Sequence, residues 1–238
     1  TEVGASHVFT FGEYCLLYLL YWSESLWPSR FKTGSNAVAV MESARVSLPA
    51  VRRVLANCPT YMIFDDHEVT DDWNLDLVWR RRVLHSASGR RIVANALAAY
   101  TVFQAWGNAP GDFPDRMVQS VRDYATWLIG TDGRRDRDAE HRFERAMWTC
   151  DRWSFATPTS PPIVFIDTRT QRDFSSEAFP RLVSEGELRR VAEVAARHGF
   201  KRGMPIVLGL ASPIYGVPSV EDLQEGTHRY KRDRENWM

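Results

Sequence analysis

Six of the eight residues after the apolar run Thr60-Tyr-Met-Ile-Phe64 are ionisable: Asp65, Asp66, His67, Glu68, Asp71 and Asp72. Carboxylate oxygens and a neutral imidazole are donors for a divalent cation. Crowded at the mouth of a buried strand, such carboxylates raise one another's pKa values and lose solvation, costs that a bound cation removes. The same residues also suit a helix start, with Asp71 or Asp72 as N-cap, acidic groups favoured by the helix dipole and His67 in water. The spacing is neither HExxH nor that of an EF-hand loop. A second cluster, Asp167-Thr-Arg-Thr-Gln-Arg172, also follows an apolar run. Its arginines, two and five residues after the Asp, suit either a bound anion or surface ion pairs. Gly111-Asp112-Phe-Pro-Asp115 has the GDxxD form of dinuclear phosphoesterases, but it follows a helix stop rather than a strand and is set aside. His7, His85, His141, His198 and His228 fall in no ligand arrangement and are expected to be structural or solvated.

Both clusters need elements to aim them. Residues 8–27 are apolar nearly all round, which predicts a buried helix ending before Pro28. A Ser/Gly/Asn-rich connection over 28–47 precedes a helix from Leu48 to Cys58. Thr60 to Phe64 has the pattern of a strand buried on both faces. Helices are predicted over 89–107 and from Met117 to Ile129, with a solvated loop over 130–140. Loose alternation from Phe143 to Phe155 predicts a half-buried strand or hairpin. Ile163 to Ile166 and Ile206 to Leu210 are further buried strands, separated by an amphipathic helix from Glu185 to His198 that Gly199 stops. The last strand leads into a loop with Pro213, Gly216 and Pro218. Short buried strands alternating with helices give an α/β core, one domain over residues 1–238. In such sheets, ligands gather at the carboxyl ends of strands, where both charged clusters fall.

Composition narrows the function. The chain has 238 residues, 44% hydrophobic and 25% charged, the balance of a globular protein. Thirty basic residues offset thirty acidic ones, which removes the electrostatic case for a nucleic-acid or membrane-surface partner. Cys15, Cys58 and Cys150 are too few and scattered for a disulfide framework or a zinc site. The longest apolar run, Cys15 to Trp22, is far short of the roughly 20 residues that span a bilayer, and no basic n-region marks a signal peptide. This slightly favours the cytoplasm. The chain opens at Thr1 and closes on the charged segment Tyr230 to Met238, which suggests a portion of something longer.

Thr60-Tyr-Met-Ile-Phe-Asp-Asp-His-Glu-Val-Thr-Asp-Asp-Trp-Asn74 resembles the central signature of the alkaline phosphatase D (PhoD-like) family of metallophosphatases. The similarity continues through Phe11-Gly-Glu13, Leu19-Leu-Tyr-Trp-Ser23, Val51-Arg-Arg-Val-Leu-Ala-Asn57, Gly89 to Tyr100, Phe103-Gln-Ala-Trp-Gly-Asn108 and Ile166-Asp-Thr-Arg169. It implies a calcineurin-like sandwich, two sheets between helical layers, with two metal ions (iron, calcium, manganese or zinc) at the strand ends. Asp65-Asp-His-Glu68 takes the place of the Gly-Asn-His-Glu block of metallophosphatases. By that match Asp66, with Asp65 beside it, is a metal ligand, and His67 contacts phosphate and assists the leaving group. Arg169 is the residue placed to bind the substrate's phosphate. The implied reaction is hydrolysis of phosphate mono- or diesters by a metal-activated water; the alternative is a degenerate, non-catalytic module that keeps the fold for binding or assembly. The family's upstream Gly-Asp strand and downstream Gly-Asp-x-His block are absent from the chain. The expectation is therefore weak metal binding, no activity of the chain by itself, and uncovered apolar surface around Tyr61, Ile63, Phe165 and Leu208.

Overall fold

The computed structural model describes residues 7–31, 35–71, 73–130, 136–175 and 180–212. Asp72, residues 131–135 of the expected loop, His228, the loop with Pro213, Gly216 and Pro218, and the closing segment from Tyr230 lie outside them. The fold is mixed α/β and mostly helical. Helix α1, Phe11–Trp22, starts with a capping box in which the Glu13 N–H donates to Thr10 Oγ1 and the Thr10 N–H donates to Glu13 Oε2. Helix α2 runs over Ser35–Asn57 and α3 over Leu77–His85. Helix α4 begins at Ala87, passes through a π turn at Thr101–Ala105 and ends on Trp106–Asn108. Helices α5, Asp115–Gly130, and α6, Arg137–Trp148, complete the helical part.

Strands β1, Phe155–Ala156, and β2, Ile163–Ile166, pair antiparallel. Helix α7, Glu185–Arg197, then crosses over to β3, Val207–Leu210, which pairs parallel with β2. Gly199, at φ +86°, ends α7 in the left-handed conformation that glycine adopts without strain. Gly209 answers a different need: a Cβ there would stand 2.6 Å from the Phe165 ring across the ladder. That ring in turn stacks on Phe155 at 4.7 Å. The face of β2 carrying Val164 and Ile166 packs on Val191, Val194 and Ala195 of α7. A larger core surrounds α4, where Phe64 meets Tyr100 at 4.9 Å and Trp153 at 5.7 Å, both rings edge-on.

Several expected elements differ. Residues 60–64 form no strand; side chains of α4 take the backbone groups of Met62 at its centre. The Met62 carbonyl accepts from Asn108 Nδ2 (2.6 Å) and the Tyr100 hydroxyl (3.2 Å), and the Met62 N–H donates to Asn108 Oδ1 (3.3 Å). With those groups taken, no ladder is needed. The first half of the strand or hairpin expected over 143–155 is the end of helix α6, because Ala139, Phe143 and Met147 recur at the helical spacing of four and are buried on one face; strand begins only at Phe155. The connection expected over 28–47 turns helical at Ser35, and α2 continues through Pro49 despite the bond that proline removes. The expected buried helix at 8–27 is shorter, and only Phe11 and Tyr14 are buried in it; Leu16, Leu17, Leu19 and Tyr21 face outward. Strand β3 is an exposed edge rather than a buried strand, with Leu208 uncovered as expected and Tyr61, Ile63 and Phe165 half-buried. Among the described residues there is one sheet, of three strands. No helix among them is long and apolar enough to cross a membrane.

The aromatic centre is expected to dominate stability. Phe64→Ala should cost about 3–5 kcal/mol in urea unfolding, through lost burial and the cavity it leaves. Tyr21→Ala, at a side chain 67% exposed, should stay within about 0.5 kcal/mol of the wild type.

Candidate functional site

The parallel pair β2 and β3 sends its two carboxyl ends toward the same side, and Thr168 and Ser212, just beyond those ends, bond through their hydroxyls at 3.3 Å. The acidic loop is held against this edge by two buried rings, Phe64 before it and Trp73 after it, with centroids 6.1 Å apart. The Trp73 indole N–H donates to the Asp65 carbonyl at 3.1 Å, and the Tyr14 hydroxyl of α1 donates to the Val69 carbonyl at 3.2 Å. Backbone bonds from Val69 and Thr70 to the Asp66 carbonyl close the turn between them. Core packing thus fixes both ends of a loop that carries charge.

Asp65, Asp66 and His67 each offer one ligand atom, and these atoms lie within 4.8 Å of one another. His67 Nδ1 is 3.1 Å from Asp66 Oδ1, while Nε2 is 3.8 Å from Asp71 Oδ1. Asp66 is buried; the side chains of Asp65 and His67 are 46% and 77% exposed. Glu68 is turned away, its Oε2 accepting the Asp65 N–H at 2.8 Å. The helix start that the cluster resembled lies further on, where Asp76 caps α3 by accepting the Trp79 N–H.

From the other loop, 104 residues later in the chain, Arg169 reaches both carboxylates. Its Nη2 donates to Asp65 Oδ1 at 2.8 Å and stands 3.3 Å from Asp66 Oδ1. Arg169 is buried, and its Nε and Nη1 have no hydrogen-bond partner among the described residues. Neighbouring Arg172 is likewise unpartnered at Nε; burial, with the charge of Arg169 added, pushes its guanidinium down to about 10. All four residues that the sequence singled out, Asp65, Asp66, His67 and Arg169, therefore meet at one place.

Asp167 lies beneath them and is fully buried. It does not reach the carboxylate pair but holds its own turn, accepting the N–H groups of Arg169 and Thr170, each at 2.8 Å, and the Thr170 hydroxyl. Burial pushes its carboxyl up to about 6; those hydrogen bonds pull the other way, and the charge of Glu187 adds a smaller upward push. Glu187, on α7, accepts the Ser154 hydroxyl and a fork of bonds from Arg190. Ser154 Oγ in turn accepts the Asp167 N–H at 2.8 Å. Sequence reading missed Glu187, because its place three residues after Ser184 is that of a capping box. It missed Asn74 too. This residue is buried at φ +57°, donates to the Arg169 carbonyl at 2.6 Å and accepts from Arg80 Nη1 at 2.9 Å.

The donor set fits one divalent ion in part, since three ligands lie together where a calcium site takes six or more. Two ions would require donors that the described residues do not bring to this place. Arg169 Nη2 meanwhile sits where it neutralises both carboxylates. A separate cavity of about 610 Å³ lies at the start of α4, lined by Arg90, Arg91, Arg137, Glu140, His141 and Glu144. Arg90 and Arg91 are already paired there with Glu144, and Arg91 also with Glu140. No protein-family model, curated protein or solved structure matches the chain.

The buried Asp167 has a consequence for stability. Its folded pKa of about 6 lies above the value of about 3.9 in an unfolded chain, so the folded state holds the proton more tightly. Stability from this group is fully present below about pH 4 and falls by about 2 to 3 kcal/mol as pH rises through 6. The difference in unfolding free energy between wild type and Asp167→Asn should decline by that amount from pH 4 to pH 6.5 in urea titrations. A flat difference would show that Asp167 ionises as freely in the folded chain as in the unfolded one.

Proposed function

We propose metal-assisted hydrolysis of phosphate mono- or diesters at Asp65, Asp66, His67 and Arg169, within a PhoD-like, calcineurin-like fold. The observation that carries this reading is the convergence, from two loops 104 residues apart, of two carboxylates and an imidazole with an arginine whose remaining N–H groups have no partner among the described residues. A phosphate ester needs both kinds of partner: cation charge near its reacting oxygens and planar donors for the remaining ones. Asp65 and Asp66 would hold the ion, which supplies Lewis acidity and a more acidic bound water. Arg169, freed from the carboxylates, turns its fork toward the phosphoryl oxygens. His67 Nδ1 is engaged with Asp66, so Nε2 is the atom that hands a proton to the leaving oxygen.

A second reading has an observation of its own. Arg169 already balances the two carboxylates without any ion, as a non-catalytic module for binding or assembly would require. Manganese, an aryl phosphodiester and the intact chain distinguish the two. The expected outcome is diester binding that requires manganese and is lost in Asp66→Asn and in Arg169→Met, by calorimetric titration. Manganese-dependent release of the aryl alcohol, abolished in His67→Ala, selects hydrolysis, and binding without release selects the module. Absence of binding under all conditions overturns both.

A further inference from the structure

Both backbone groups of Arg169 are taken by buried side chains, one from its own turn and one from the end of the acidic loop. Its N–H donates to Asp167 Oδ1, and its carbonyl accepts from Asn74 Nδ2. We propose that Asp167 and Asn74 are positioning residues, which fix Arg169 over Asp65 and Asp66 by clamping the backbone on either side of its side chain. The proposal rests on the reading of that cluster as a phosphate-ester site, and neither residue touches substrate in it.

Three features support the clamp. Asn74 is in the left-handed region, where a buried non-glycine residue is retained at a conformational cost, and its side chain joins the two loops that build the site. Arg80, on α3, fixes the amide's orientation by donating to Asn74 Oδ1, and is itself held over the Phe174 ring at 5.1 Å. Burial raises the Asp167 carboxyl, and the donors of the turn it caps pull the other way by favouring its ionised form. Protonation takes one acceptor away from that turn, whose Thr170 hydroxyl and two N–H groups all point at the carboxylate. The groups that face Asp167 are Glu187 of α7, itself paired with Arg190, then Tyr100 of α4, Cys150 ahead of β1, and Arg172 on its own loop. Burial pushes the tyrosine and the thiol above their usual values, the thiol to about 12, so neither titrates near pH 6.

The test reads the clamp both with and without ligand. The Trp73 indole N–H bonds to the Asp65 carbonyl, so its nuclear magnetic resonance, assigned with Trp73→Phe, reports the loop that Arg169 grips. In the metal-free chain this resonance should shift with a midpoint near pH 6, persist in His67→Ala and stay still in Asp167→Asn. Asn74→Gly keeps the left-handed backbone but deletes the amide. With manganese present it should weaken aryl phosphodiester binding about tenfold, the effect of losing about 1.4 kcal/mol of hydrogen bonding. An indole shift that survives in Asp167→Asn overturns the proposal, as does an Asn74→Gly affinity within twofold of wild type. Should Asp167→Asn fail to fold, the wild-type titration and Asn74→Gly carry the test. If no form binds the diester while the indole shift behaves as stated, the clamp stands and the phosphate-ester reading falls.

Discussion

Burying the Asp167 carboxylate at the end of the sheet removes it from water, and the two loops of the site are shaped by how that cost is met. Three donors of the 168–170 turn converge on it, and the turn they create is the one from which Arg169 extends. Ser154 carries the backbone side of the same arrangement to Glu187, and Glu187 is balanced by Arg190. A buried carboxylate pair such as Asp167 and Glu187 repels, so the cation must lie on one member and the dense hydrogen bonding on the other. This division is what the structure contains. It couples the crossover helix to the site through backbone and hydroxyl groups rather than through a second layer of charge.

The opposite wall of the site has a different origin. No ladder supports residues 60–64; aromatic packing and two side chains of α4 do. Phe64 and Trp73 bracket the acidic loop as buried anchors, so like charges are held together by apolar burial at both ends. Burying a Phe or Trp side chain is worth about 2–3 kcal/mol, enough to offset the crowding of partly solvated carboxylates. The cluster therefore exists because its flanks are hydrophobic.

Legibility of the sequence follows the same physics. Strand β2, helices α4, α5 and α7 and the stop at Gly199 were plain, since periodicity and caps agreed there with the tertiary packing. The segment 60–64 was misleading because only Phe64 of the run is fully buried; Tyr61, Met62 and Ile63 are half-covered rather than paired in a sheet. At 143–155, the short alternation of Ala146, Trp148 and Cys150 competed with the longer helical set Ala139, Phe143 and Met147, and the longer period decided. In the site, Asp65, Asp66, His67 and Arg169 were visible as charged residues following apolar runs. Asn74, Ser154 and Glu187 were not, because a buried polar residue has no sequence pattern of its own until its partner is known. Asn74 gains its role only from a carbonyl 95 residues away.

On the proposed reading Arg169 is the point on which the chemistry would turn, since its guanidinium and a cation would compete for the same oxygens. Pairing with half-exposed Asp65 is weak, of the order of 1 kcal/mol or less, whereas buried Asp66 gives up more if left without a positive neighbour. A cation that displaced Arg169 would satisfy both carboxylates but leave a buried guanidinium without a counter-charge. An anion that engaged Arg169 alone would draw its charge away from Asp66 in turn. On the proposed reading each ligand would lower the cost of the other, so cation and phosphate would be favoured as a pair over either singly, by the reciprocity that linkage imposes on two sites sharing one group. An arginine suits this exchange better than a lysine, because its charge persists when buried and its planar fork matches a carboxylate and a phosphate equally well. The Nε and Nη1 of Arg169, without a partner among the described residues, are what such an exchange would require: donors held within a loop whose backbone Asp167 and Asn74 hold on either side.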